Sequence, residues 1–309
     1  MANKVFKTLD EQIVILKDRG LVIKDEEEAR NILLRENYFF INGYRHLFSK
    51  EKGNDLFLDG TTFDELYSAF IFDRRIRNIY FRYLLVVENN IKSIISYQLS
   101  KNYGYKEKDY LNPNNFNQDP LRKRQINDVL NKMKRQIRVN GDKHTATVHY
   151  INKYGYIPMW ILVKVLSFGI VSELYAILRY DDQKVIAEKY GLDTETLGIY
   201  LSLIANFRNL CAHEEILYDY RTQKVIPDCY IHSALNIEKD DGGYIYGKND
   251  LFALMIMLKA LLTDKEFRSL TYEIGYEIDI LDQHIDVVPL ESILNKIGFP
   301  NNWKDIIDL

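Results

Sequence analysis

Cysteine and proline are scarce in this chain: two Cys and six Pro in 309 residues. Cys211 and Cys229 are too few for a disulfide framework. So few prolines leave long segments free to be helical. Neither sign of charge prevails, with 41 basic against 44 acidic side chains and a net charge of −3. That balance excludes a polycation that coats nucleic acid through its overall field, so any nucleic-acid site must be local. Long apolar runs are missing too. The longest, Leu251 to Leu262, contains Lys259 and falls short of the roughly 20 residues of a membrane helix. The first residues, MANKVFKTLDEQ, have no apolar h-region, so a cytoplasmic chain without signal peptide is expected. There is no GxSxG nucleophile elbow, no Walker A loop and no dinucleotide GxGxxG.

What is present describes a folded protein, 47% hydrophobic and 28% charged. The 23 tyrosines have a plain source in a low-GC genome; the rival reading is a surface on which bases stack. Most long segments repeat at helical period, which predicts an all-α fold. Lys7 to Asp18 sets Leu9, Ile13 and Leu16 on one side, and Asp25-Glu-Glu-Glu28 opens a second helix. Gly53 to Gly60 reads as a loop or small hairpin. Thr62 and Glu65 form a capping box that starts a long helix ending near Gly104. Met159 to Leu178 reads as one strongly apolar helix started by Pro158. Asp193 or Thr194 caps a helix expected to run past His213. Residues 218–247 are mixed, with short β-like pieces, and helices resume at Asp250.

The charge is uneven. Leu121 to Lys153 holds nine bases against two acids, a local +7, including Arg122, Lys123, Arg124, Lys132, Lys134, Arg135 and Arg138. These are candidate contacts to an RNA backbone; a solvated amphipathic helix is the bland alternative. The last 46 residues hold ten acids and four bases, which a solvated face explains as well as a partner does.

The segment Ala205-Asn-Phe-Arg-Asn-Leu-Cys-Ala-His213 carries the most information. At about 100° per residue, Leu197, Leu201, Ile204 and Cys211 form an apolar stripe. Asn206, Asn209 and His213 cluster on a polar one. Arg208 falls inside the apolar stripe, where an unpaired guanidinium costs several kcal/mol. It therefore needs an acidic partner or a water-filled cleft. On an ideal helix Arg208 and His213 point about 140° apart, so their convergence is easier if a second helix brings its own copy.

Arg208-x4-His213 resembles the R-x(4–6)-H motif of the HEPN superfamily of RNA-cutting and RNA-binding helical domains. The chain as a whole resembles the Abi-like (abortive infection) proteins. The matching blocks are LLRENYFFINGYRHLF (33–48), FDRRIRNIYFRYLLVVENNIKS (72–93), PMWILVKVLSFGIVSELY (158–175) and FRNLCAHEEILYD (207–219). The resemblance implies a HEPN-type helical bundle with further N- and C-terminal helices and minor β-hairpin insertions. It implies an endoribonuclease of antiphage defence or growth arrest, acting as a homodimer that pairs two motifs, with no cofactor or metal. A neutralising small RNA or protein is an implied partner, and no membrane is. Arg208, Asn209 and His213 fall on the motif. Asp73, Arg77, Glu88 and Lys92 fall on the supporting acidic and basic positions, with Lys92 where an Arg is expected. Glu215 stands where some HEPN toxins carry a tyrosine that a partner enzyme modifies.

Such an enzyme uses the nucleophile of RNA itself, the 2′-OH. His213 would act as acid or base, since an imidazole ordinarily titrates at about 6.5. Arg208 would hold the phosphate, and Asn209 would orient the imidazole or bind a phosphate oxygen. Glu88 or Asp73 is the expected partner of Arg208. Length suggests two domains, but the family blocks favour one body: an N-terminal helical subdomain at 1–60, a helical core at 61–222 and a C-terminal extension at 223–309. Rival classes are a non-catalytic RNA-binding module and a helical DNA-binding or interaction regulator. A zinc site from Cys211, His213, Cys229 and His232 is disfavoured by its spacing.

Overall fold

Thr62 starts the element around which the molecule is built. Its hydroxyl accepts from the backbone N–H of Glu65, and the Glu65 carboxylate accepts in return from the N–H of Thr62. The helix so capped, Phe63–Tyr103, is 41 residues long, or roughly 60 Å at 1.5 Å per residue. Gly104, at φ +98°, ends it.

The computed structural model describes residues 5–50 and 55–309. In chain order the helices are α1 (Leu9–Asp18), α2 (Glu26–Glu36), α3 (Tyr38–Asn42) and the long α4 (Phe63–Tyr103). They continue with α5 (Glu107–Tyr110), α6 (Lys123–Asn140), α7 (Thr145–Tyr154), α8 (Met159–Val165) and α9 (Phe168–Ile177). Then come α10 (Tyr180–Ala187), α11 (Thr194–Ala212), α12 (Tyr230–Ala234), α13 (Leu251–Leu261), α14 (Asp264–Asp282) and α15 (Leu290–Ile297). A two-stranded antiparallel hairpin, β1 (Lys239–Asp240) and β2 (Gly243–Tyr244), lies between α12 and α13. The fold is all-α.

Helix α4 is buried along its length, at Leu66, Phe70, Ile76, Tyr80, Leu84, Val87, Ile91 and Ile95 among others. It packs chiefly against α14, α8 and α11, while α11 also packs on α9. The apolar run of α13 has no polar face because that helix is enclosed: Leu251 to Leu258 are all buried. No helix among the described residues is long and apolar enough to cross a membrane. One connected set of buried side chains runs from Ile13 to Ile306. The amphipathic pattern of α6 is resolved cleanly, with Ile126, Val129, Leu130 and Met133 inside.

Three local expectations meet the structure differently. Met159 to Leu178 is two helices. Leu166 is extended (ψ 135°), and the Ser167 hydroxyl caps α9 by accepting from the N–H of Ile170. The helix expected to run past His213 stops at Ala212, with His213 as its C-cap. The Gly53–Gly60 loop falls partly on residues 51–54, outside the described residues; on its flanks Ser49 and Phe57 form an antiparallel bridge.

Candidate functional site

Helix α11 is started by Asp193, whose carboxylate accepts from the N–H groups of Glu195 and Thr196. Leu197, Leu201, Ile204, Phe207 and Cys211 are buried, while Asn206, Asn209 and His213 are exposed. Arg208 lies between the two faces, its side chain 27% exposed. Its Nε donates to Glu88 Oε2 at 3.0 Å. The other oxygen of Glu88 accepts from Lys92 Nζ at 2.6 Å, one turn along α4. Glu88 and Lys92 are themselves buried. One carboxylate thus holds two cations, and the Arg208 guanidinium also lies 5.6 Å from the Phe81 ring centre. Among the described residues, neither terminal nitrogen of Arg208 makes a hydrogen bond.

Asp73 serves a different partner. It is fully buried, and its Oδ2 accepts from Arg77 Nη1, from the Tyr44 hydroxyl at 2.7 Å and from the backbone N–H of Leu217 at 3.2 Å. Arg77 Nη1 also donates to the Glu215 carbonyl at 3.0 Å. Burial is the main influence on Asp73 and pushes its carboxyl up to about 6, against the opposing pull of Arg77 and of the hydrogen bonds. Burial likewise pushes the neighbouring Cys211 thiol up to about 12, so it is not a ready nucleophile.

This second cluster fixes the turn that follows the motif. The N–H of Glu214 donates to the Cys211 carbonyl, and that of Glu215 to the Leu210 carbonyl. The pattern is a Schellman termination with Glu214, at φ +55°, in the place usually taken by glycine. His213 therefore sits at a helix end whose continuation is clamped to α4 through Asp73 and Arg77. No described residue makes a hydrogen bond to its imidazole.

The supporting residues thus form two clusters along α4: Glu88 and Lys92 hold Arg208, and Asp73 and Arg77 hold the turn after His213. The basic helix α6 is separate: no hydrogen bond or ion pair joins its cations to Arg208, Glu88 or Lys92 among the described residues. Lys132 is held by Glu173 at 2.6 Å, and Arg122 donates to Gln125 and to the Ala176 carbonyl. Lys123, Arg124, Lys134, Arg135 and Arg138 are exposed and have no carboxylate partner among the described residues. No group of three His, Cys, Asp or Glu among the described residues could hold a metal ion. Cys229 contacts His232 instead, at 3.2 Å. Two members of the site were not expected from the sequence, Tyr44 and Phe81; Tyr44 does lie in the aromatic-rich block 33–48.

The geometry defines an all-α protein in which a long central helix supplies the counter-charge for an arginine on a helix that ends at an exposed histidine. The chain belongs to the Abi-like protein family, whose model matches residues 31–219. Membership suggests a function of the abortive-infection type. The matched span contains Asp73, Arg77, Glu88, Lys92, Arg208 and His213, whereas α12 to α15 lie beyond it. No curated protein and no solved structure matches the chain.

Proposed function

We propose that this chain is a metal-independent endoribonuclease of the HEPN type, used in antiphage defence or growth arrest. One observation carries the reading. Glu88 holds Arg208 through Nε alone, leaving the guanidinium's terminal fork unbonded on the helix that ends at the exposed His213. That fork can take two phosphate oxygens and stabilise the charge that develops on them.

In this mechanism the 2′-OH attacks the adjacent phosphorus and its proton passes to an imidazole. A second imidazole gives a proton to the departing 5′-oxygen. The products are a 2′,3′-cyclic phosphate and a 5′-OH end. A homodimer supplies the two imidazoles, one His213 from each copy, and Asn209 on the same exposed face orients the ring or binds phosphate. Glu88 and Lys92 position Arg208, and Asp73 and Arg77 position the turn after His213. The exposed cations of α6, chiefly Lys123, Arg124, Lys134, Arg135 and Arg138, hold the RNA backbone. A small RNA or protein that covers this face would neutralise it.

The test is cleavage of end-labelled RNA by the purified chain, with the ends mapped. We expect cyclic-phosphate ends, cleavage that survives EDTA, and a loss of about 10²-fold or more in Arg208→Ala and His213→Ala. Full activity in His213→Ala, or complete loss in EDTA, would overturn the proposal. RNA bound but left intact by the unaltered chain would favour a binding module instead.

A further inference from the structure

The chain has 23 tyrosines. Four of them join Trp160 and His149 in a continuous aromatic surface where α7, α8 and the start of α5 meet. Tyr105 lies 5.4 Å from Trp160 and 5.8 Å from Tyr156. Tyr156 lies 6.3 Å from Tyr154, and Tyr154 lies 5.3 Å from Tyr150. His149 closes the series, 5.7 Å from Tyr150. Such rings are ordinarily at least partly covered, yet Tyr105, His149, Tyr154 and Trp160 are all exposed. The pairs of tyrosines, and Tyr105 with Trp160, are tilted by 36° to 52°. They therefore do not cover one another's faces as a stacked pair would.

Cations are interleaved with the rings. Lys106 Nζ lies 4.7 Å from the centre of Tyr156, and Lys153 Nζ lies 5.3 Å from that of Tyr154. A groove lined by Glu107, Leu111, Asn131, Lys134, Ile137 and Arg138 lies against the basic face of α6, and its Glu107 bonds to Ile157, the residue after Tyr156. The one acid in that groove is occupied: Glu107 accepts from the backbone N–H of Ile157 at 2.5 Å. Lys106, Lys134, Arg138 and Lys153 have no carboxylate partner among the described residues.

We propose that this surface binds single-stranded RNA, with bases stacked on Tyr105, Tyr154 and Trp160 and phosphates along Lys106, Lys153, Lys134 and Arg138. Exposed aromatic faces recognise unpaired bases without regard to sequence, and interleaved cations follow the backbone. A duplex keeps its base faces stacked inside and cannot use the rings. The inference rests on the ribonuclease reading for its choice of RNA, and it adds to that reading a preference for unpaired strands and a place to hold them.

Trp160 is 42% exposed and the chain's other tryptophan, Trp303, is 2% exposed, so the emission of Trp160 reports stacking directly. The probe is a short uridine-rich 2′-O-methyl oligoribonucleotide, which lacks the 2′-OH and is not cut by the proposed route. We expect it to quench the full-length chain and not Trp160→Phe. Tyr154→Ser should weaken binding, followed by fluorescence anisotropy, about tenfold. Lys106→Gln with Lys153→Gln should flatten the salt dependence. Binding without quenching, equal affinity for duplex RNA, or a change of sedimentation in Tyr154→Ser with oligonucleotide affinity unchanged would overturn the proposal. The last outcome would assign the rings to contact between copies. Quenching by a chain that cuts no RNA would leave this surface standing and remove the ribonuclease reading alone.

Discussion

Asp73 lies against Arg77 in the interior, where its charge is costly. Its carboxyl is pushed up to about 6 by burial, whereas an exposed or unfolded Asp titrates at about 3.9. Between these values the native state holds a proton that the unfolded chain has released. The contribution of Asp73 is therefore full below about pH 4 and falls as pH rises to about 6. In Asp73→Asn nothing titrates at this position, and Arg77 loses its buried partner, which costs roughly 3–5 kcal/mol. The stability advantage of the unaltered chain over Asp73→Asn should thus shrink from pH 4 to 6 and level off above. Urea unfolding over that range measures it, and an advantage that grows would reverse the sign. Asp250, also pushed up to about 6 by burial, is present in both proteins and cancels. At this scale the sequence was partly readable. An arginine inside an apolar stripe demands an acid, but the choice between Asp73 and Glu88 was not legible. The two lie on one helix, roughly 22 Å apart along its axis, and only the axial offset of α11 against α4 decides which one Arg208 reaches.

Helix ends follow the same division between local and distant information. The Thr62–Glu65 box is written in four consecutive residues and the structure forms it. Glu65 then does something no local pattern announces: its Oε1 accepts from the N–H groups of Asp286 and Val287, in the loop after α14. Thr62→Ala should cost about 1 kcal/mol, the ordinary loss of a cap. Glu65→Ala strands three N–H groups, those of Thr62, Asp286 and Val287, and should cost at least about 2 kcal/mol. Denaturant midpoints for the two variants test the order, and equal losses would show that the distant bonds contribute nothing. The break between α8 and α9 was illegible for the opposite reason. In the run WILVKVLSFGIV a single serine is the only cap signal, and hydrophobic periodicity does not change across it. The basic face of α6 was readable because its stripe alternates cleanly, but its separateness from Arg208 is a matter of packing.

Across the whole molecule, local charge sums mislead. The acidic C-terminal stretch is not a free face. Glu273 pairs with Arg82 and Glu277 with Arg75, so part of it serves as the counter-charge of α4. The apolar core likewise does not divide at residues 60 or 222. A chain cut after residue 222 lacks α13 and α14 and leaves a long side of α4 bare. We expect it to show no cooperative unfolding by circular dichroism, where the full chain shows a sharp transition; a folded, cooperative fragment would contradict this. The long helix also sets a timetable. Glu88 meets Arg208 across 120 residues of sequence, and Asp73 meets Leu217 across 144. Polymerised at about 10 residues per second, the chain spends more than about ten seconds with the carboxylate made and its arginine not yet added. Glu65 waits longer still for residues 286 and 287. The arrangement around Arg208 is thus absent during most of synthesis and closes only after α11 has emerged. On the proposed ribonuclease function, the chain is in this way silent toward the ribosome that is making it until α11 has emerged, a safeguard supplied by chain order.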